Sequence, residues 1–488
     1  MNKPIVRIYV LVLLLFGTLV YFTSKWAVFD SEALGERTEN RRPLIEAQQI
    51  PRGSITTADG VLIAESLPEG SGRKPVYVRS YPEGSLFGHP VGYSFVDLGT
   101  RGIEQTENEL LTGEENEFAS IIDQLRGSQP AGADITLTLD AEAQRTATEL
   151  LQAAVTDPES PGAALVAIEP ATGAVRAMAS VPGFDSNAAR NDAEFSSIST
   201  SAGSPILNRA TQGLYPPGST MKVVTAAAAL DSGEFEPDTV LNADSPKEIS
   251  GLDLANSGGQ SFGDIDMTTA LTNSVNTYWA QVGEQLGTET MVEYMERFGF
   301  YSVPELDYPT DQMDESGVYS GGELVREDFD VGRVAIGQGG EEGQALATAT
   351  QMAEVAATVA NGGTLMRPTF LQQAKDPDGR VIEELGDGEE QAEVISEESA
   401  AQLTEMMTNV TREGTASGLD VGGVEFAGKT GTAEIDVEAS INQPWFLTFA
   451  PSEDPQIAVA VTVERCTGCF GGDTAGPIAT AVIETLLD

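Results

Sequence analysis

Histidine is nearly missing from this chain, and its scarcity excludes several kinds of active site. Among 488 residues there is one histidine, His89, in a stretch rich in glycine and proline. Zinc peptidases with an H-E-x-x-H motif are excluded, as are sites that need two imidazoles. A Ser-His-Asp triad would have to use His89, which has no partner motif nearby and which we expect to be a loop residue. A hydrolase or transferase built on this chain needs a different base.

Cysteine is also scarce, because the chain has only Cys466 and Cys469. Two cysteines in a chain of this length do not make a disulfide scaffold. They could form a local disulfide or remain as two free thiols. A redox C-x-x-C motif usually begins a helix in a βαβ unit, and this glycine-rich segment near the C-terminus offers neither.

Basic residues are few. Lysine and arginine together number 27, against 75 acidic residues, and the formal net charge is −48. Nucleic acids bind proteins through phosphate neutralisation by lysine and arginine, so a nucleic-acid partner is not expected. Such strong acidity is typical of a high-salt or ion-rich environment and says nothing about the fold.

One long apolar run stands near the N-terminus, at residues 5–22. Eighteen helical residues span about 27 Å, close to the thickness of a bilayer core. Lys3 and Arg7 precede or enter this run, and the positive-inside rule then places the N-terminus in the cytoplasm. A cleaved signal peptide is the alternative, but no small-x-small cleavage site follows. We therefore predict a single-pass anchor in the plasma membrane and an extracytoplasmic remainder.

Composition and periodicity divide the rest of the chain at the proline-containing break of residues 157–161. We predict a cytoplasmic tip and anchor at 1–28, a small membrane-proximal α+β unit at 29–160 and a larger domain at 161–488. The larger domain has strand patterns at both ends, around 163–178 and 445–463, and helical runs at 220–230, 268–283 and 345–361. This arrangement predicts an α+β fold with one mainly antiparallel sheet covered by helices.

The first candidate for chemistry is the string Tyr215-Pro-Pro-Gly-Ser219-Thr-Met-Lys222. The prolines and glycine predict a helix start, which places Ser219 near the helix N-terminus and Lys222 one turn further on. A neutral lysine amine can take the serine proton and so supply the base that histidine does not. Ser71 and Lys74 have the same spacing, but Pro75 follows them and no helix is predicted there.

Two further motifs follow at separations of 55 and 155 residues. Ser274-Val-Asn276 offers a hydroxyl that could relay a proton and an amide that could orient a carbonyl. Lys429-Thr430-Gly431-Thr432 places a cation among small residues on a predicted strand, where a substrate backbone and carboxylate could approach. A phosphate-loop match that begins at Gly423 is formal only, since its intervening residues are strand-like. The string Ser440-Ile-Asn442 repeats the second motif in what we expect to be a polar loop.

Together the motifs S-x-x-K, S-x-N and K-T-G resemble those of the class B penicillin-binding proteins, with Val275 where S-D-N has aspartate. Pro51-Arg-Gly53, Arg101-Gly-Ile-Glu104 and Gly337-Gln-Gly339 extend the resemblance over nearly the whole chain. The short membrane-proximal unit is similar to the compact actinobacterial type. The resemblance implies a serine-β-lactamase-like transpeptidase domain, an antiparallel sheet flanked by helices, behind a dimerisation or pedestal-like unit.

The resemblance also implies roles for individual residues. Ser219 would attack the penultimate D-alanine carbonyl of a peptidoglycan stem peptide with Lys222 as its base, Ser274 would relay the proton and Asn276 would hold the donor peptide. Lys429, Thr430, Gly431 and Thr432 would bind substrate, and the backbone N–H groups of Ser219 and Thr432 would form the oxyanion hole. β-Lactams would acylate Ser219. The expected partners are stem peptides, the membrane and a cell-wall synthesis complex that includes a glycosyltransferase; no cofactor or metal is expected.

Three alternatives share these motifs: a D,D-carboxypeptidase, a β-lactamase-type hydrolase and a catalytically inactive cell-wall scaffold. A class A β-lactamase carries E-x-x-L-N after S-D-N, whereas the nearest string here, Asp238-Thr-Val-Leu-Asn242, comes before Ser274. The membrane-proximal unit argues against a carboxypeptidase. The intact Ser219, Lys222 and Lys429 argue against a scaffold. A D,D-transpeptidase is the function that the sequence favours.

Overall fold

The computed structural model describes residues 3–25, 48–69, 75–113, 131–155, 160–340 and 342–487. The second S-x-x-K string, Ser71 to Lys74, lies outside these residues. The first helix is one long apolar segment at the N-terminus, a candidate membrane span over Lys3–Phe22 with every described apolar side chain exposed. The main helices are α1 (Lys3–Ser24), α2 (Ala141–Ala154), α3 (Asp192–Ser199), α4 (Lys222–Asp231), α5 (Met267–Thr272), α6 (Asn276–Arg297), α7 (Ala349–Ala360), α8 (Glu397–Arg412) and α9 (Gly471–Leu487).

Shorter helical turns connect these elements. Single turns of α-helix occupy Gly88–Val91, Ile103–Thr106, Asn108–Thr112 and Val331–Val334, and 3₁₀ turns occupy Ser186–Arg190, Gly218–Met221, Ser257–Gly259 and Thr310–Gln312.

The strands form two larger sheets and several ribbons. The strands of the larger sheets are β1 (Ile55–Thr56), β2 (Leu62–Glu69), β3 (Val76–Ser80), β4 (Asp134–Leu137), β5 (Ala163–Ile168), β6 (Val175–Val181), β7 (Leu371–Lys375), β8 (Val381–Glu384), β9 (Ala427–Asp436), β10 (Ile441–Ala450) and β11 (Ile457–Val463). The shorter strands are Tyr93–Phe95, Gly99–Arg101, Leu241–Asn242, Lys247–Ile249, Leu252–Leu254, Asp264–Ile265, Gly317–Ser320, Glu323–Leu324, Gly339–Gly340, Gly343–Leu346, Thr364–Met366, Glu390–Glu393 and Cys466–Thr467.

The central sheet of the larger domain has the strand order β9-β10-β11-β5-β6, and each pairing is antiparallel. Every residue of β5, β10 and β11 is buried, so both faces of the sheet are covered. Helices α2 and α9 pack against each other and against this sheet, and α7 packs against β5, β10 and β11. The predicted α+β class and its antiparallel, helix-covered sheet are confirmed. Strand β9, which carries the K-T-G motif, lies at one edge of the sheet.

A second sheet, of order β8-β7-β4-β1-β2-β3, occupies the membrane-proximal unit. Its strands β7 and β8 come from the larger region, beyond residue 160. Strand β7 pairs antiparallel with β4, whose own backbone groups would otherwise form an open edge. The sheet therefore crosses the boundary that the sequence suggests, because a strand pair from far along the chain completes it.

The single histidine differs from the expectation of a loop residue. His89 lies in the one-turn helix Gly88–Val91, where only 6 % of it is exposed. Its ring packs edge-on against Phe184, and burial lowers its pKa to about 3. The neutral, buried imidazole of His89 is thus part of the packing between the membrane-proximal unit and the larger domain.

Candidate active site

The loop that carries Ser219 is fixed from both sides by backbone contacts. The N–H of Tyr215 donates to the carbonyl of Ala347, and the N–H of Gly218 donates to the carbonyl of Gly337 at 3.0 Å. Gly218 has φ +54°, and a Cβ there would lie 2.9 Å from the backbone N of Ala433. Glycine is required at this position because both the dihedral angle and the contact exclude a side chain. Ser219 then lies in the 3₁₀ turn Gly218–Met221 that leads into α4.

Lys222, the first residue of α4, is fully buried, and its amine is surrounded by oxygen atoms of the other motifs. Its Nζ lies 2.9 Å from Ser219 Oγ, 2.8 Å from Asn276 Oδ1, 2.8 Å from the Ser274 carbonyl and 3.2 Å from Ser274 Oγ. These distances place the amine within direct proton-transfer reach of both hydroxyls.

The S-x-N motif forms a break between two helices rather than part of one. The helix that the sequence predicts over 268–283 is interrupted between α5 and α6, and Ser274 has φ +56°. This left-handed conformation turns both the hydroxyl and the carbonyl of Ser274 toward Lys222. Asn276 begins α6, and its Nδ2 donates to the carbonyl of Ala255, which orients its Oδ1 toward the amine.

Lys429 approaches the same serine from the edge strand. Its side chain is fully buried on β9, and its Nζ lies 2.9 Å from Ser274 Oγ and 2.9 Å from the carbonyl of Thr430. A Cβ on Gly431 would lie 2.9 Å from the carbonyl of Pro217, so glycine allows the strand to pack against the Ser219 loop. Thr432 accepts a hydrogen bond from the N–H of Gly471.

The two amines are held in a setting that disfavours their charged forms. Burial lowers the pKa of Lys222 well below its usual value, and the positive charge of Lys429 lowers it further. Burial alone lowers the pKa of Lys429 to about 7. A buried lysine with a lowered pKa can serve as a base near neutral pH, as the Ser219 hydroxyl requires.

A cleft of about 520 Å³ lies beside the two amines, between the β9 edge and the loop before α6. Ser219, Ser274, Asn276, Thr430 and Thr432 are among its lining residues. The cleft is also lined by residues that were not among the predicted site residues: Asn256, Asn273, Gln338, Thr415, Glu434, Asn442, Phe470 and Asp473.

The eight predicted site residues are thus brought together from three segments of the chain that are distant in sequence. The sequence did not identify Thr415 as a site residue, because a threonine after a glycine occurs in many loops. Asn442 was expected in a polar loop and lies instead in β10, buried, where its Nδ2 donates to the carbonyl of Cys469. Cys466 and Cys469 form the local disulfide that was one of the two expected states.

Two family models match this chain. The family model of the penicillin-binding protein transpeptidase domain matches residues 163–484, and that of the penicillin-binding protein A dimerisation domain matches residues 52–135.

The chain is 33% identical over 506 residues to peptidoglycan D,D-transpeptidase PbpA of Mycobacterium tuberculosis, covering all of this chain and 99% of that protein. It is 32% identical to PbpA of Mycolicibacterium smegmatis, with the same coverage. The penicillin G acyl-enzyme complex of penicillin-binding protein A from M. tuberculosis superposes with a TM-score of 0.78 at 30% identity, covering 90% of this chain and 100% of that one. The imipenem acyl-enzyme complex of the same protein superposes equally well at 31% identity, covering 91% of this chain and 100% of that one. The chain belongs to the class B penicillin-binding proteins.

Proposed function

We propose that this chain is a peptidoglycan D,D-transpeptidase that cross-links stem peptides through an acyl-enzyme on Ser219. The observation that carries the proposal is the buried amine of Lys222, 2.9 Å from the Ser219 hydroxyl. In this proposal the neutral amine takes the hydroxyl proton while Oγ attacks the penultimate D-alanine carbonyl of the donor. The amide C–N bond then breaks, and terminal D-alanine leaves with a proton that passes through Ser274.

The second half-reaction transfers the acyl group. An acceptor amine attacks the ester carbonyl, the bond to Ser219 Oγ breaks, and the serine regains its proton as the amine loses one. The new amide is the cross-link. Asn276 is proposed to hold the donor peptide, since its amide borders the cleft beside the nucleophile.

The edge strand β9 supports a role in substrate binding. An edge strand presents unpaired backbone groups, and an extended peptide such as the donor stem can pair with them. Lys429, Thr430 and Thr432 are proposed to bind the donor carboxylate, with Gly431 permitting close approach. The backbone N–H groups of Ser219 and Thr432 are proposed to stabilise the tetrahedral oxyanion.

The domain organisation and the topology are part of the same proposal. We place the anchor and cytoplasmic tip at 1–28, the membrane-proximal unit at 29–160 and the penicillin-binding domain at 161–488, outside the plasma membrane. There the enzyme works beside a glycosyltransferase in a cell-wall complex. A reporter fused after Asp488 is expected to be active only outside the cytoplasm. Mature protein that starts near Trp26 and is free of membranes would show a cleaved signal instead.

Labelling with a fluorescent penicillin tests the nucleophile. The full-length protein in detergent is expected to form a stable adduct on the peptide that contains Ser219, and Ser219→Ala is expected to form none. Ser232→Ala, at the opposite end of α4, is the matched control and is expected to label normally. An adduct on another peptide, or undiminished labelling of folded Ser219→Ala, would contradict the assignment.

A second assay separates transpeptidation from the alternatives. A defined donor peptide and an acceptor amine are incubated with the enzyme, and cross-linked product is separated from hydrolysed product. A transpeptidase gives mainly the cross-link, a carboxypeptidase or β-lactamase-type hydrolase gives only hydrolysis, and a scaffold gives neither.

A further inference from the structure

Thr415 contacts both the helix that ends just before the S-x-N motif and the strand that carries the K-T-G motif. It follows α8 and is exposed to the cleft. Its backbone N–H donates to the carbonyl of Thr272, the last residue of α5, two positions before Ser274. Its hydroxyl lies 2.6 Å from the hydroxyl of Thr430 on β9.

A glycine in this loop allows its close approach to α5. A Cβ on Gly414 would lie 2.3 Å from the carbonyl of Thr272, so only glycine brings Thr415 to this position. The loop also approaches the start of α9, since a Cβ on Gly472 would lie 3.0 Å from the carbonyl of Thr415. Thr415 is therefore held by its backbone, and its hydroxyl is presented to Thr430 in a fixed place.

The two hydroxyls share one hydrogen bond, and its direction decides what Thr430 can offer to a ligand. A hydroxyl has a single hydrogen to donate and can accept as well. When Thr415 donates, the Thr430 oxygen is satisfied as an acceptor and its own hydrogen is free to point into the cleft. A ligand carboxylate favours that direction, because a carboxylate only accepts hydrogen bonds.

We propose that Thr415 is a positioning residue that sets Thr430 as a hydrogen-bond donor to the carboxylate of the acyl donor. This inference rests on the proposed function. It adds Thr415, a residue outside the three motifs, whose role is to position the Thr430 hydroxyl. Removal of the Thr415 hydroxyl leaves Thr430 free to rotate and without its donor partner, so recognition of the carboxylate weakens while the Ser219–Lys222 pair is untouched.

The test compares two ligands that differ only in the carboxylate, penicillin G and its methyl ester. The second-order rate constant of acylation is measured for the full-length protein in detergent. Thr415→Val is expected to slow acylation by penicillin G about fivefold, the scale of one hydrogen bond, and to leave acylation by the ester unchanged. Thr415→Ser keeps the hydroxyl and is expected to retain the wild-type rate. Saturation kinetics are expected to show the loss in the binding constant rather than in the acylation step.

Thr408→Val is the matched control, because within the described residues the Thr408 hydroxyl bonds only to the Thr404 carbonyl of its own helix. An equal loss for penicillin G and the ester would show that Thr415 acts on the general shape of the cleft and would overturn the proposal, as would no loss at all. If Thr415→Val does not fold, Thr415→Ala removes the same hydroxyl from an exposed position and is judged by the same ligand comparison. A wild-type protein that penicillin does not acylate would contradict the proposed function itself, which is a separate outcome.

Discussion

The Nζ of Lys222 lies 2.8 Å from the Oδ1 of Asn276, so the proposed base is held by a neutral amide and not by a carboxylate. This choice of partner keeps the pKa of the amine low, because an amide adds no negative charge. The other three contacts of the amine, with the Ser219 hydroxyl and with the carbonyl and hydroxyl of Ser274, are neutral as well. The positive charge of Lys429 also lowers the pKa of Lys222 and so favours the neutral amine.

The first prediction concerns a substitution that replaces the neutral amide beside Lys222 with a carboxylate. Asn276→Asp places a carboxylate against the Lys222 amine and raises its pKa, so more of the base is protonated at pH 7. Acylation by penicillin is expected to slow at least about tenfold at pH 7, and to recover as the pH is raised. Rate–pH profiles of acylation check this. Asn191→Asp adds the same charge at a helix N-cap, where asparagine and aspartate accept the same hydrogen bonds. This control is expected to leave the rate–pH profile of acylation unchanged.

A second prediction concerns the pH dependence of the wild-type enzyme. Acylation needs neutral Lys222, so the rate falls on the acid side as that amine binds a proton. Carboxylate binding is favoured by protonated Lys429, whose pKa is about 7, so the rate also falls on the alkaline side. The expected profile is a bell, whose two limbs belong to the coupled pair. In Lys429→Met the alkaline limb is expected to disappear, and the acid limb to move to higher pH because a positive neighbour of Lys222 is lost. An unchanged profile would show that Lys429 does not titrate in this range.

The motifs allowed the site to be predicted because each brings its own local geometry. The prolines and glycine before Ser219 define a helix start, and three residues of helix place Lys222 on the same face. The left-handed Ser274 could not be predicted, because apolar periodicity runs through 268–283 and the break depends on contacts of Ser274 with Lys222 and of the Thr277 N–H with Asn256. Thr415 gave no signal for a similar reason, since its partners are 143 and 15 residues away in sequence.

Long-range pairing and burial explain the remaining differences in the fold. Strands β7 and β8 join the membrane-proximal sheet from beyond residue 370, a contact that no local pattern encodes. The buried state of His89 likewise depends on Phe184 from the other domain. The central sheet was predictable because β5 is apolar at every position and β11 at every position except Thr462, and turn residues follow β5 and precede β11.

A third prediction tests the packing of the nucleophile loop against its neighbour. A Cβ on Gly337 would lie 2.0 Å from the carbonyl of Gly218, and Gly337 has φ +72°. Gly337→Ala is expected to lower the free energy of unfolding by about 2 kcal/mol or more and to slow acylation of Ser219. Gly340 lies three residues away, and a Cβ on it would have no atom within 4 Å, so Gly340→Ala is expected to change the free energy of unfolding by less than about 1 kcal/mol. Urea unfolding and penicillin labelling of both variants provide the comparison.

The fourth prediction concerns the Pro51-Arg-Gly53 and Arg101-Gly-Ile-Glu104 motifs, which meet in a buried ion cluster. Glu104 is fully buried and accepts hydrogen bonds from Arg52, Arg79 and Tyr81. Burial alone would raise its pKa, but the two arginines outweigh burial and the pKa is lowered. Glu104→Gln leaves two guanidinium groups without a counter-charge and is expected to cost about 3–5 kcal/mol of stability.

The pH dependence of this cluster has a definite sign. A carboxyl with a lowered folded-state pKa stabilises the fold above its unfolded pKa of about 4.3, and that stability is lost as the pH falls below it. Glu104→Gln is expected to flatten the acid limb of unfolding free energy against pH. Glu109→Gln, an exposed carboxyl nearby, is expected to leave it intact. A variant of Glu104 as stable as the wild type would show that the cluster is dispensable.

The last prediction concerns the disulfide between Cys466 and Cys469, which closes a loop at the rim of the cleft. The two cysteines are three positions apart, so the bond restricts little of the unfolded chain and is expected to contribute about 2 kcal/mol. The loop is also held by the pairing of Cys466 with Asn442 and by the N–H of Gly468, which donates to the carbonyl of Ser440. A variant with both cysteines changed to serine is therefore expected to unfold at slightly lower urea and still to be labelled by penicillin. A folded double variant that no longer forms the adduct would show that the disulfide is needed for the geometry of the cleft and not only for stability.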